Sequence, residues 1–328
     1  MTQKLPIIDI SSLFSRADDG YSAEQEATAQ ELFAAFSEIG FAIIIGHQVT
    51  DKVVQDMRDA IKAVFDAPRE LLSKTLVEKG NYRGFVPVGY FTPNSGKGEA
   101  DQYEAWKLHS ETPADDPICK QSNLYGPNRW PAIVTDVKTP IMTYWSEMDR
   151  VSRVLLVALC HSLKIDSEIM LSSLDKPLTN MTLLNYPPTD PNSSQQGIHA
   201  HKDFDLLTIL AHDPVGGLEV RNRAGEWLDA QCPADGMVVN VGDMLELWTG
   251  GRLMSTPHRV TNHSGRARQS FPYFVVPRFD VDIEPLLPPI EGFDRLPLNA
   301  GRASADIWYS NWPDTISTEP GQELGDFD

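Results

Sequence analysis

Between residues 181 and 276 the chain breaks into short apolar runs separated by glycine. No other feature limits its possible folds as strongly. The runs are MTLLNY (181–186), LLTILAH (206–212), LEVRN (218–222), MVVNV (237–241), MLELWT (244–249), HRVTN (258–262) and SFPYFVV (270–276). Gly216-Gly217, Ala224-Gly225, Gly242-Asp243 and Gly250-Gly251 stand between them. Each run is strand-sized, and glycine supplies the turns. Many short strands at this spacing predict a β-sandwich or jelly roll.

The first half reads mainly as helix. Residues 23–38 (AEQEATAQELFAAFSE) are rich in helix formers and stop before Gly40. FAIII (41–45) predicts a short buried strand. Thr50 and Asp51 are N-cap candidates for a helix whose Val53, Val54, Met57, Ile61, Val64 and Phe65 recur at threes and fours. The longest predicted helix spans 141–163, with Tyr144, Met148, Val151, Leu155, Ala158 and Leu159 on one stripe. Such a stripe predicts a scaffold helix packed on a sheet.

Charge and cysteine content exclude several functions. A formal net charge of -18 argues against nucleic acid and anionic membranes as partners. Cys119, Cys160 and Cys232 are far apart and odd in number, so neither a disulfide framework nor a CxxC metal site is expected. A reducing cytoplasm is the expected compartment. The start MTQKLPIIDISSLF lacks the basic segment and apolar stretch of a signal peptide. No apolar run reaches the roughly 18 residues a membrane span needs.

Chemistry is concentrated in HAHKDFDLLTIL (199–210). On a strand, His199, His201, Asp203 and Asp205 would share a face. Two histidines and one carboxylate on one side of a metal, with open positions opposite, form the facial triad of non-haem Fe(II) oxygenases. His201-Lys202-Asp203 offers a His-x-Asp pair. STPHRVTN offers a distant histidine, His258, at the start of a strand, and Arg268-Gln269-Ser270 leads into FPYFVVP.

This constellation resembles the iron- and 2-oxoglutarate-dependent dioxygenases, in particular the isopenicillin N synthase-like family. The resemblance covers nearly the whole chain. LPIIDIS (5–11) is similar to the family's entry strand and FSEIGFAIIIGHQV (36–49) to its helix–strand segment. NYPP (185–188), HKDFDLLTIL (201–210), VGGLEV (215–220), GD (242–243), TGGRLMSTPHRV (249–260) and RARQSFPYF (266–274) follow in the family's order. The resemblance implies a mixed α and β fold, a double-stranded β-helix (jelly-roll) core with flanking N-terminal helices. It implies Fe(II) on His201, Asp203 and His258, with dioxygen as the oxidant. It also implies that Arg268, Ser270 and Tyr186 hold the distal carboxylate of 2-oxoglutarate. A guanidinium fork suits a carboxylate better than lysine would. A carboxylate at 203 sets the chain apart from halogenases, which vacate that position for chloride. His199, Lys202 and Asp205 depart from the family's usual residues, and His199 is expected to be surplus to the metal.

The implied reaction is oxidation of an unactivated C–H bond of a small organic substrate, with release of succinate and carbon dioxide. Hydroxylation is the leading form; desaturation and cyclisation are the others. Two other readings compete with it: an iron oxidase of the same family that does not use 2-oxoglutarate, and a non-catalytic jelly-roll binding protein. Arg83, Lys107 and Arg252 are candidates for a substrate carboxylate or phosphate, and Phe85, Tyr82, Tyr90, Phe91 and Trp106 for an apolar body. His199 is a further pocket candidate. Each also has an ordinary role open to it, as a surface charge or a core aromatic. The expected organisation is a mainly helical region over 1–175, a catalytic core over 176–285 and a C-terminal segment over 286–328 acting as lid or tail, all within one integrated unit.

Overall fold

The computed structural model describes residues 4–15, 20–90, 101–132, 134, 136–188, 197–262 and 264–310. Phe91, and the stretch after Trp312 read as a tail or lid, lie outside them. The chain opens with strand β1 (Ile7–Asp9), then helix α1 (Ala23–Glu38), strand β2 (Phe41–Ile45) and helix α2 (Asp51–Asp66). Ser22 and Gln25 form a reciprocal capping box at the start of α1, and the Thr50 side chain caps α2. Each cap satisfies backbone N–H groups that have no partner inside the helix.

After the short helix α3 (Arg69–Leu72) come two strands that helix-biased reading of the first half did not anticipate, β3 (Gly84–Val86) and β4 (Glu104–His109). Helix α4 (Lys138–Leu163) buries the expected stripe of Tyr144, Met148, Val151, Leu155, Ala158 and Leu159. Helix α5 (Ser167–Ser173) leads into the β-rich half.

That half contains β5 (Asn180–Tyr186), β6 (Ile198–His201), β7 (Leu207–Ala211), β8 (Leu218–Arg221), β9 (Trp227–Asp229) and β10 (Met237–Val241). Next come helix α6 (Asp243–Trp248) and strands β11 (His258–Val260), β12 (Arg268–Ser270) and β13 (Tyr273–Val275). Strands β14 (Asp282–Ile283) and β15 (Leu298–Asn299) and helix α7 (Ala300–Ser310) end the described chain.

One sheet runs β1-β2-β10-β7-β13-β5-β4-β3, with β12 also paired to β5; a smaller one runs β6-β11-β8-β9. Apolar residues of the two sheets meet in one cluster, Phe41, Ile43, Leu184 and Val238 from the large sheet against Leu218, Val220, Leu228 and Val260 from the small. Alternate residues of the same large-sheet strands, such as Ala42, Ile44, Leu183 and Val239, turn outward into a second cluster with the helices. A strand covered on both faces is mostly apolar; β10 has all five residues buried, with Asn240 its one polar member. This is the expected jelly-roll core with N-terminal helices.

Three local expectations need correction. MLELWT forms helix α6, not a strand. Its Met244, Leu245, Leu247 and Trp248 are all buried, and their i, i+1, i+3, i+4 spacing is that of a 3.6-residue period, which so short a run does not separate from a strand buried on both faces. SFPYFVV is split into β12 and β13 at Phe271-Pro272, since proline has no N–H to give a ladder. Finally, β6 stops at His201, so residues 199–205 are not one strand and alternation does not align their four polar side chains.

Candidate active site

The smaller sheet brings two distant histidines together. His201 is the last residue of β6 and His258 the first of β11, and the two are direct cross-strand partners. Their rings lie 4.3 Å apart between centroids. Asp203 follows in the turn after β6 and reaches between them. Its Oδ1 is 3.7 Å from His201 Nε2 and its Oδ2 is 3.6 Å from His258 Nε2. One potential ligand atom from each residue falls within 4.8 Å of the others.

Each imidazole is oriented by a backbone carbonyl. His201 Nδ1 is 2.8 Å from the His199 carbonyl oxygen and His258 Nδ1 is 3.2 Å from that of Thr256. A carbonyl only accepts, so each Nδ1 carries the proton and each Nε2 presents a lone pair toward Asp203. Burial pushes the His258 pKa down to about 4, against the pull of Asp203. A neutral, lone-pair-bearing imidazole is the form that binds a metal.

Burial acts to raise the Asp203 carboxyl, but His258, His201, Thr208 and Asn240 outweigh it and hold its pKa below the usual range. Thr208 Oγ1 lies 2.6 Å and Asn240 Nδ2 2.9 Å from Asp203 Oδ2. Thr208 and Asn240 are themselves opposed across the β7–β10 pair. Sequence reading missed both, although each is the only polar residue in a buried apolar strand. A buried polar group in such a place needs a partner, and that was the available signal.

Asp205 serves a different purpose. Burial and the charge of Asp203 push its pKa well above the carboxylate range. Thr208 Oγ1 lies 3.0 Å from Asp205 Oδ2. A hydroxyl has one proton to donate. A protonated Asp205 donates to Thr208, which donates to Asp203. The turn is held from below by α6, whose first N–H groups bond its carbonyls: Asp243 N to Asp203 O at 2.8 Å and Met244 N to Asp205 O at 3.1 Å. Those N–H groups have no partner within the helix, which accounts for a helix at this point. Gly242 is required just before it, because a Cβ there would lie 2.2 Å from Asp205 Oδ1.

Arg268 and Tyr186 face each other across the β12–β5 pair. The guanidinium carbon lies 4.8 Å from the tyrosine ring centroid, and Nε donates to the Gly216 carbonyl at 2.8 Å. Arg268 Nη1 and the Tyr186 hydroxyl are both buried with no hydrogen-bond partner among the described residues. Burial pushes the tyrosine up to about 12, so it stays a neutral donor. Ser270, buried two residues from Arg268 on β12, projects to the same face. Buried unsatisfied donors are costly. Two of them side by side next to a serine fit a carboxylate that arrives from outside the chain. The donor set of two histidines and an ionised aspartate likewise fits a divalent iron site with open positions.

The remaining candidates disperse. His199 turns from the triad to Asp101, with Nδ1 2.6 Å from Asp101 Oδ1 and its backbone N–H 3.1 Å from the same oxygen. Asp101 was not anticipated, because its contact spans nearly a hundred residues. Phe85 is core, opposite Trp106, whose indole N–H donates to Arg129 O. Arg252 donates to the carbonyls of Thr249 and Pro288, tying down the C-terminal segment. Tyr90 is exposed. Arg83, Lys107 and Tyr82 cluster around β3 and β4 with His109 and, from α7, Trp308.

The chain is similar to known proteins over most of its length. Residues 5–133 match the family model of the N-terminal region of a non-haem dioxygenase in morphine synthesis, and residues 178–277 match that of the 2OG-Fe(II) oxygenase superfamily. The chain is 32% identical over 293 residues to homoarginine-6-hydroxylase 2-ODD-233 of Oryza sativa subsp. japonica, covering 86% of this chain and 88% of that protein. It is similar to the crystal structure of a 2OG-Fe(II) oxygenase family protein of Caulobacter crescentus, with TM-score 0.79 and 27% identity over 92% of this chain and 97% of that one. A full-length Neurospora crassa protein, solved in complex with alpha-KG and thymine, shares the fold at TM-score 0.81 and 21% identity, covering 94% of this chain and 97% of that one.

Proposed function

This chain belongs to the 2OG-Fe(II) oxygenase superfamily, and from that premise we propose that His201, Asp203 and His258 hold its Fe(II) while Arg268, Ser270 and Tyr186 take the distal carboxylate of 2-oxoglutarate. As a member of this family it is an oxygenase that uses Fe(II), 2-oxoglutarate and dioxygen on a small molecule. The observation that carries the residue assignment is the convergence of three ligand atoms within 4.8 Å, two of them aimed by backbone carbonyls. The unpartnered Arg268 Nη1 and Tyr186 hydroxyl support the use of 2-oxoglutarate over an oxidase that dispenses with it.

When bound, the iron lets 2-oxoglutarate and dioxygen oxidise an unactivated C–H bond to an alcohol, with release of succinate and carbon dioxide. The chain's own residues prepare that chemistry. The His199 and Thr256 carbonyls fix which histidine nitrogen faces the metal, and Thr208 and Asn240 keep Asp203 ionised and correctly turned. Arg268 meets the oxoacid with a guanidinium already oriented by Gly216 O, so little conformational freedom is lost on binding.

Hydroxylation of a small organic substrate is the proposed outcome. Support comes from the hydroxylase named among the relatives. A cytoplasmic enzyme working as one integrated unit is part of the same reading, supported by three unpaired cysteines and by β1 to β4 joining the sheet that carries β5 and β12. No helix among the described residues is long and apolar enough to cross a membrane. Anaerobic equilibrium dialysis tests the assignment. One Fe(II) per wild-type chain is expected, and none on Asp203→Ala. Wild-type-like iron binding by that variant would overturn it.

A further inference from the structure

The face of β4 that looks into the sandwich carries charge that the iron and oxoacid sites do not use. Directly opposed residues of an antiparallel pair project to the same side. Lys107 opposes Thr182 and Ala105 opposes Leu184; Leu184 and Tyr186 in turn oppose Ser270 and Arg268. Lys107 therefore shares a face with Arg268 and Ser270. With strands about 4.8 Å apart and residues about 3.4 Å apart along each strand, the Lys107 and Ser270 Cα atoms are about 12 Å apart. That is the scale of a small molecule.

The Lys107 ammonium donates to Thr182 Oγ1 at 3.1 Å and lies 5.2 Å from the Tyr82 ring centroid. Burial pushes its pKa down to about 8, and no opposing charge offsets that fall. Arg83 adds a second cation. It is 2% exposed, with Nη2 bonded to Leu124 O at 2.6 Å and Nε buried without a partner among the described residues. His109 Nε2 donates to the Tyr82 carbonyl at 3.1 Å, and burial, reinforced by Arg83 and Lys107, keeps its imidazole neutral. Of the two acidic groups acting on Arg83, Cys119 and Glu111, the one carboxylate, Glu111, is bonded to Asn128 and Lys138. In a chain with net charge -18, neither cation is bonded to a carboxylate among the described residues. An uncompensated buried charge destabilises a fold unless something outside the chain pairs with it.

We propose that Lys107 receives a carboxylate of the organic substrate, so that this oxygenase acts on carboxylate-bearing small molecules. An ammonium has three N–H donors. Thr182 takes one, and two remain for the two oxygens of a carboxylate. Arg83 is tied to Leu124 and contributes its field, which favours a singly charged carboxylate over a phosphate needing several donors. Lys107 and Tyr82 both keep partial solvent access, so a ligand can reach them. Bound in this way, a substrate points its other end across β5 and β13 toward Thr208, which bonds Asp203 of the triad. The proposal rests on the oxygenase reading above.

The test uses full-length protein, kept anaerobic with Fe(II) and 2-oxoglutarate, and calorimetry with matched acids and primary amides, such as 3-phenylpropanoate against 3-phenylpropanamide and hexanoate against hexanamide. Acids are expected to bind at least about tenfold more tightly than their amides, the scale of one charge-assisted hydrogen bond. Lys107→Met should erase the difference, Lys107→Arg should retain much of it, and both should bind Fe(II) and 2-oxoglutarate as wild type does. Lys107→Met should also melt at or above the wild-type temperature, since it removes a partly buried charge with no carboxylate partner among the described residues. Absence of any acid preference in wild type, or its survival in Lys107→Met, overturns the proposal while leaving the iron and oxoacid assignment standing. Failure of wild type to bind Fe(II) or 2-oxoglutarate overturns both.

Discussion

His201 and His258, the end of β6 and the start of β11, are direct cross-strand partners whose rings are 4.3 Å apart, whereas His199, one strand step earlier, turns away to Asp101. Removing either paired histidine takes away one of three ligands. His201→Ala and His258→Ala are expected to lose most Fe(II) affinity, and His199→Ala to stay within a few-fold of wild type. Anaerobic dissociation constants for the three variants check this. An equal loss in His199→Ala would require the site to be redrawn around His199.

Thr208 and Asn240 touch no ligand atom except through Asp203, so they act as positioning residues. Partners of this kind typically account for about 10–100-fold in metal affinity. Thr208→Val and Asn240→Leu should each weaken Fe(II) binding within that range and leave the 2-oxoglutarate-binding face intact. Each should also destabilise the fold by about 1–3 kcal/mol, because Asp203 loses a buried partner. Chemical denaturation alongside metal titration separates the two effects. Unchanged iron affinity in both variants would contradict a positioning role.

Arg268→Gln should raise the 2-oxoglutarate dissociation constant by about ten- to hundredfold, the range for hydrogen bonds to a charged group. Arg268→Lys should recover only part of it, since lysine cannot both bond Gly216 O and present a fork to a carboxylate. Calorimetry with the oxoacid reads both variants. An affinity in Arg268→Gln equal to that of wild type would move the oxoacid site elsewhere.

Asp205 has its pKa raised by folding, so the sign of its pH effect is fixed. In the unfolded chain the group ionises above about 3.9. In the folded chain it stays protonated well beyond that. Its contribution is therefore most favourable below about pH 4 and is progressively lost as pH rises through the interval between the two values. Asp205→Asn keeps the shape and removes the ionisation. Its stability relative to wild type should improve on going from pH 5 to pH 7.5, measured by urea denaturation at both. A constant difference would show that Asp205 is ionised in the fold.

Much of the site was readable because its parts are local. His201-x-Asp203 and Arg268-x-Ser270 each lie within a few residues, the helical stripe of α4 follows from a period of 3.6, and the strand at 41–45 from a short, wholly apolar run. Their energetics depend on neighbours in sequence, which a pattern records. MLELWT was not readable. Six residues are too few for its apolar spacing to separate a helix from a strand buried on both faces, and the choice went to a helix whose first N–H groups reach the carbonyls of the Asp203 turn.

By itself, then, the sequence determined the jelly-roll class, the helices, the candidate ligands and the candidate oxoacid contacts Arg268 and Ser270. Tertiary structure alone decided that His201 meets His258 while His199 meets Asp101, that Thr208 and Asn240 converge on Asp203, and that Lys107 bonds Thr182 on the face shared with Arg268. Each of these is a contact between residues distant in sequence. Its free energy comes from burying polar groups against specific partners across two sheets, and no local spacing encodes which partner will be there.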